Sequence, residues 1–347
     1  MIDTVGRARD LLERAHGGPV VTVYFDLDPE RFATAPARDS EARSLIDEGR
    51  RLAGRLELDH HGRTTLESDL DRVAERLGSA ELPVSGPLAL ALFQSTTDAL
   101  QETIPLDVRT DAQVFVEPVP HIEPLVTGPT LGKWCAVLVS SESAEIVEGE
   151  RRMVTRRTDS RDYVRGLEQS SGGETGKREQ DVEGHLLQVA DELRRRRQHD
   201  RFELLALAGP TAAASGLRSL LHEELAAILA GPLQLDTSNA SDADIVAAIW
   251  RLGEQRQAQR CAEARAELRS RLAGDGRFAA AGVQDVQRAL VERRVETLLV
   301  GRDCRNDDNL REAMIQTAVR QDAAVLAYDE PVEELPPPRP VAALLRF

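Results

Sequence analysis

Aromatic side chains are scarce: seven Phe, three Tyr and two Trp make up 3 % of the 347 residues. The cores must therefore be built from Leu, Ala and Val. Sulfur is equally thin. Cys135, Cys261 and Cys304 share no disulfide or metal spacing, which excludes a stapled secreted mini-domain and points to a reducing cytoplasm. No apolar run approaches the ~20 residues that span a bilayer, so no membrane partner is expected. The opening MIDTVGRARDLLERAHGG has helical periodicity but lacks the apolar stretch of a secretory signal. Positive charge is in deficit, with 44 bases against 59 acids and a net charge of −15. An acidic surface argues against DNA and against non-specific adhesion to nucleic acid, whose affinity comes mainly from neutralised phosphates. Local basic patches survive at Arg151-Arg152 with Arg156-Arg157, at Lys177-Arg178 and at Arg194–Arg197.

What remains is a globular composition, 41 % hydrophobic and 30 % charged, in a chain long enough for two or three domains of ~150 residues. Val20–Phe25 alternates like a strand, and a loop follows through Pro29 and Pro36. Ser40–Gly54 and Thr64–Leu77 show helical spacing, the latter through Leu66, Leu70, Val73 and Leu77. PLALALFQS and DAQVFVEPVP are further strand patterns, and the Pro-rich PHIEPLVTGP is suited to a boundary. KWCAVLVSSESAEIVEGERRMVTRR reads as a three-strand meander turning at Ser-Glu-Ser and Glu-Gly-Glu. A Gly-rich loop comes next, then a helix over Asp181–Arg197, a buried strand in RFELLALAGP and a helix in GLRSLLHEELAAIL. A meander followed by alternating helix and strand predicts a ribonuclease-H-like sheet. From Ser241 a long helix opens a βαβ-type unit with a strand at Glu296–Val300 and a closing strand in PVAALLRF. The expected layout is thus three α/β domains at 1–126, 127–240 and 241–347.

The loop reads SSGGETGKREQ. A P-loop requires G-x-x-x-x-G-K-[ST]; here Ser171 stands for the first glycine and Arg178 for the hydroxyl residue, so nucleotide binding fails. On local pattern alone a solvated linker is the commoner outcome, and the placement of the loop in a mid-chain domain favours a functional tip. Two-metal nuclease chemistry needs clustered carboxylates, and Trp134–Val139 carries none. No metal and no cofactor is expected. His60-His61 reads as a polar surface turn, His185 as a packing or capping residue, and Cys135 as a buried, inert thiol. Asp26 and Asp28 shape a loop or mark a strand-end site. Arg194–Arg197 reads either as a solvated last turn favoured by the helix dipole or as an RNA contact. Trp250 is expected between the middle and last domains.

The segments VQRALVERRVETLLVGRD, LREAMIQTAVRQDAAVLAYDE and PVAALLRF resemble the last domain of the archaeo-eukaryotic class-one release factor and Pelota superfamily. Arg293-Arg294 replaces a frequent Gly-Ala pair there, and Phe347 replaces a final tyrosine. VVTVYFDLDPERF resembles the opening strand of the bacterial branch. The resemblance implies a release-factor-type C-terminal domain and a middle domain bearing a Gly-Gly-Gln loop that reaches the ribosomal peptidyl-transferase centre. Gly172 and Gly173 match that motif and suit a backbone needing positive φ. Glu174 stands at the glutamine position, or Thr175 in a second alignment. A carboxylate only accepts hydrogen bonds where an amide both donates and accepts, and an exposed tip offers little burial to raise its pKa. With the amide absent, the resemblance points to non-hydrolytic, Balon-type hibernation members that occupy a vacant ribosomal A site, with elongation factor Tu as the implied delivery partner. Lys177, Arg178, Arg194 and Arg195 would meet ribosomal RNA phosphates. A peptidyl-tRNA hydrolase using the 172–176 loop and a stress-linked protein-binding scaffold are the competing readings.

Overall fold

The computed structural model of the chain describes residues 4–27, 34–78, 87–128, 131–140, 143–159, 176–237, 239–274, 276–301, 308–328 and 341–347. Three sheets and ten helices occupy these residues, the mixed α/β architecture that the pattern predicts. They divide into two compact units: one is 129–257, and the other joins 2–128 to 258–347.

In the discontinuous unit the first sheet is antiparallel, ordered β3-β2-β1-β4, with β1 at Val20–Asp26, β2 at Ala89–Ser95, β3 at Leu100–Leu106 and β4 at Gln113–Glu117. Strand periodicity of two divides β1 between two cores. Val21, Val23 and Phe25 pack under α2 (Ala35–Ala53) and α3 (His60–Leu77), whereas Val20 and Tyr24 face α1 (Thr4–Arg14) and α4 (Glu123–Thr127). Two expected loops are helical. Pro36 lies in the first turn of α2, where a missing N–H costs nothing, behind the Thr34 N-cap. His60 and His61 open α3 because Asp59 caps it, accepting from Gly62 N at 2.7 Å. The polar LQETIPL hides β3 from pattern reading, since only one of its faces is buried.

The unit 129–257 carries β5 (Lys133–Val139), β6 (Ala144–Glu150), β7 (Met153–Asp159), β8 (Leu204–Ala208) and β9 (Leu229–Pro232). Their order is β7-β6-β5-β8-β9, an antiparallel meander extended by two parallel strands, which is the ribonuclease-H-like arrangement. The second turn of the meander falls at Arg151-Arg152, and Glu148-Gly149-Glu150 lies inside β6. Gly149 opposes Trp134 across the ladder, and any Cβ there would fall within the indole ring. Helix α5 runs from Gly176 to Asp200, beyond the expected span at both ends. Its Leu186, Val189 and Leu193 cover Cys135, Val137 and Val139. The expected single helix over 216–229 is two, α6 (Thr211–Leu220) and α7 (Glu223–Ala226), split where Leu221 and His222 turn extended. β9 then follows, taking the last residue of the expected helix, Leu229, as its first.

Helix α8 spans Asp242–Ala273. Trp134 Nε1 and Trp250 Nε1 both donate to Arg151 O, at 2.9 and 3.4 Å, and Arg152 lies over the Trp250 ring. Trp250 is thus held inside the 129–257 unit. Farther along α8, Cys261, Ala264 and Leu268 pack on the third sheet. That sheet is ordered β10-β13-β11-β12, with β10 at Ala279–Ala281, β11 at Val295–Gly301, β12 at Ala324–Tyr328 and β13 at Val341–Leu345. Helices α9 (Val283–Val291) and α10 (Asp308–Arg320) cover its other face, where their apolar residues merge with those of α1, α4 and the first sheet in one core. Arg293 takes φ 56, a left-handed conformation that glycine adopts at least cost.

Candidate functional site

Gly172, Gly173, Glu174 and Thr175 lie outside the described residues, as does Asp28. In the described chain that segment is flanked by β7, which closes at Asp159, and by α5, which opens at Gly176. Lys177 and Arg178 belong to the first turn of α5. Arg194 and Arg195 lie seventeen residues on, about 25 Å along the axis at a 1.5 Å rise per residue. The four basic residues singled out by sequence therefore form two separate pairs. Residues 129–257 hold 17 of the 44 bases and 21 of the 59 acids, so this unit is close to neutral and most of the acidic excess lies in the rest of the chain.

The Arg194–Arg197 run does three different things. Arg194 is exposed, and Arg195, its side chain 70 % exposed, pairs with Glu192 at 3.2 Å. Arg197 lies over the Phe202 ring. Arg196 is buried: Nη1 donates to Glu148 Oε2 at 2.8 Å and Nε to Glu192 Oε1 at 2.8 Å. Burial drives the Arg196 guanidinium towards neutrality, but the hydrogen bond it donates to Glu192 and the charge of Glu148 outweigh it, and its pKa is raised. Arg156 Nη1 reaches the same Glu148 oxygen at 3.3 Å, while Glu148 Oε1 has no hydrogen-bond partner among the described residues. Lys133, Thr155, Arg156 and Phe202 line a cavity of about 250 Å³ beside this carboxylate. The pattern that betrays the buried ion pair is visible in hindsight. Arg196 follows Val189 and Leu193 at helical spacing, on the face that covers the sheet.

Among the described residues no nucleophile–base pair emerges beside this carboxylate. Cys135 lies opposite Glu148 in the ladder, and its thiol is pushed far up by burial first and by the Glu148 charge second, which leaves it protonated and inert. His185 is half-buried with Nε2 lacking a partner among the described residues, consistent with a packing role.

Sequence reasoning missed a buried polar cluster in the other unit. His121 stacks on Phe115 at 3.6 Å and 3°. Its Nδ1 is 3.7 Å from Glu117 Oε2 and its Nε2 is 3.7 Å from Glu312 Oε2. Glu312 accepts from Ile122 N (2.7 Å), Glu123 N (3.2 Å) and Gln316 Nε2 (3.0 Å). Tyr24 donates to His121 O at 2.7 Å. The available signal was Glu312 and Gln316 standing four apart on the apolar face marked by Ile315 and Val319. His121, Glu123 and Glu312 offer ligand atoms within 4.8 Å of one another, the composition of a cation site. Arg311, however, engages both oxygens of Glu123, so a metal ion would have to displace a guanidinium. The donor set does not fit a resident metal.

Residues 137–249, about a third of the chain, match the sequence model of bacterial archaeo-eukaryotic release factor family 12. No curated protein matches the chain. Among solved structures it is similar to an archaeal translation termination factor, aRF1, at 19 % identity over 100 % of this chain and 99 % of that one, with a TM-score of 0.25. It is also similar to Pelota of Archaeoglobus fulgidus (18 %, 75 % and 79 %, 0.39) and to a model of ribosome-bound archaeal Pelota with ABCE1 (15 %, 99 % and 94 %, 0.45). At TM-scores below 0.5 none of these structural likenesses bears on function. The matched segment contains the whole Gly172–Thr175 loop with its flanking β7 and α5, and over that third the chain is similar to the bacterial archaeo-eukaryotic release factors.

Proposed function

We propose that the protein is a ribosome-associated, release-factor-like translation factor that occupies the vacant A site as a hibernation or rescue factor, without cleaving peptidyl-tRNA, after delivery by elongation factor Tu. One observation carries this reading. The family match runs through the loop in which Gly172 and Gly173 are kept and the amide that would position a water is replaced by Glu174 or Thr175. Lys177 and Arg178 support it, because cations in the first turn of a helix oppose its dipole. Helix formation alone gives no reason for them, whereas RNA phosphates beside the loop do. The near-neutral middle unit removes the objection that a net charge of −15 raises against RNA contact.

The test is sedimentation with ribosomes lacking A-site tRNA, together with release of labelled peptide from peptidyl-tRNA. We expect co-sedimentation without release, weakened by Lys177→Glu/Arg178→Glu and by added salt. Release abolished by Glu174→Ala or Thr175→Ala makes the protein a peptidyl-tRNA hydrolase. Absence from the ribosome pellet at low salt overturns the reading and leaves the protein-binding scaffold.

A further inference from the structure

We propose that His121 is a proton-operated latch that fastens helix α10 to the corner formed by β4 and α4. The geometry is that of a buried ring between two carboxylates carried by different parts of the unit. Glu117 lies at the end of β4 and Glu312 lies on α10, and each sits 3.7 Å from one ring nitrogen. His121 is only 6 % exposed, and Nδ1 has no hydrogen-bond partner among the described residues. A neutral imidazole presents one N–H and one lone pair, so it must turn a lone pair towards one of the two carboxylates. An imidazolium presents an N–H to both. The parallel stack on Phe115 places the charged ring against a π face.

The other charged groups around the ring are Glu123 on α4, Arg311 on α10 and the Tyr24 phenol on β1. Arg311 is spent on Glu123, and burial keeps the Tyr24 phenol protonated far above its usual range. Burial alone would pull the His121 pKa down; the pull of the Glu117 carboxylate, 3.7 Å from Nδ1, with the charges of Glu312 and Glu123, outweighs it, and the net direction is upward from 6.5. Burial favours the neutral form of Glu312, and the charge of His121 with the Ile122 N–H opposes that, so the imidazolium is what helps keep this carboxylate ionised. A group whose folded pKa is raised contributes its stabilisation fully below the unfolded value and loses it as pH climbs through the folded value. The latch is therefore closed in mild acid and loosens from about neutral pH upward.

The experiment follows the His121 imidazole resonance by NMR and, in parallel, the hydrogen-exchange protection of residues 308–320, from about pH 6 to about pH 8.5. The resonance absent from His121→Gln identifies the ring. We expect it to titrate above the ordinary value of 6.5, and protection of 308–320 to fall across the range by a factor of ten or so after correction for intrinsic exchange. His121→Gln should remove that pH dependence. Glu117→Gln, on a partly exposed side chain, should leave the fold intact and move the titration downward. Titration of His121 at or below its ordinary value overturns the proposal. So does a pH dependence of α10 protection that persists in His121→Gln, or a titration midpoint unmoved by Glu117→Gln.

Discussion

Arg195 and Arg196 are neighbours in one basic run, yet the structure assigns them opposite consequences when each is changed to alanine. The Arg196 side chain is 9 % exposed and bonds two carboxylates, Glu148 (9 %) and Glu192 (14 %). Its removal leaves Glu148 with the solvent-exposed Arg156 alone, at 3.3 Å, and with Oε1 already unpaired. Breaking a buried pair by deleting one partner costs about 3–5 kcal/mol; with Arg156 close by, the lower end applies, about 3 kcal/mol. Arg195→Ala loses one exposed pair, worth about 0.3 kcal/mol. Both tryptophans of the chain, Trp134 and Trp250, lie in the 129–257 unit, so intrinsic fluorescence in urea reports on that unit. With a slope of about 2 kcal/mol/M, Arg196→Ala should lower the midpoint by about 1.5 M and Arg195→Ala by less than about 0.2 M. The double substitution Glu148→Leu/Arg196→Met removes both charges and should recover most of the loss, because an apolar pair of similar volume replaces the ion pair. Equal shifts for the two single variants, or a double variant worse than Arg196→Ala, would refute the electrostatic account.

Other outcomes are equally definite. Gly149→Ala sets a methyl group into the Trp134 ring; unfolding curves should show a loss of about 3 kcal/mol, accompanied by a red-shifted emission maximum. Arg293→Gly relieves a left-handed backbone at φ 56 and should stabilise by up to about 1 kcal/mol, read as a rise in the denaturation midpoint followed by circular dichroism. In a Cys304→Ser background the two remaining thiols, Cys135 and Cys261, are buried, so native protein should not react with a disulfide reagent on the minute scale; rapid labelling of Cys135 would contradict the burial that holds it protonated.

The sequence discloses those parts of the fold in which burial is continuous or repeats with the period of the element. The strand β1 and the first meander strand are legible as short, nearly unbroken apolar runs buried on both faces, and α3 because its apolar residues recur every three to four positions. Where burial is one-sided or brief, as in β3 and β9, a polar or Ala-rich composition conceals the strand. Caps mislead in the same way: Thr34 and Asp59 start helices at Ala35 and His60, ahead of the apolar rows that mark α2 and α3. The site follows a similar division. The glycines, the absent amide and the basic pairs are chemistry written in neighbouring residues. The Arg196–Glu148 pair spans 48 positions and the His121–Glu312 pair 191; the place of Arg196 and Glu312 on apolar helix faces is the local trace, and the distant partner of each is not.

The discontinuity of the outer unit bears on synthesis. Its first half, 2–128, leaves the translating ribosome well before 258–347 exists, so Leu11, Tyr24, Phe93 and Leu125 wait for Ile315, Val319 and Ala343 to complete their common core. The 129–257 stretch is contiguous and can close around its own sheet in the meantime. During that interval the nascent chain presents a half-built apolar face, which makes the early segment the natural client of a chaperone and the C-terminal third the step that retires it.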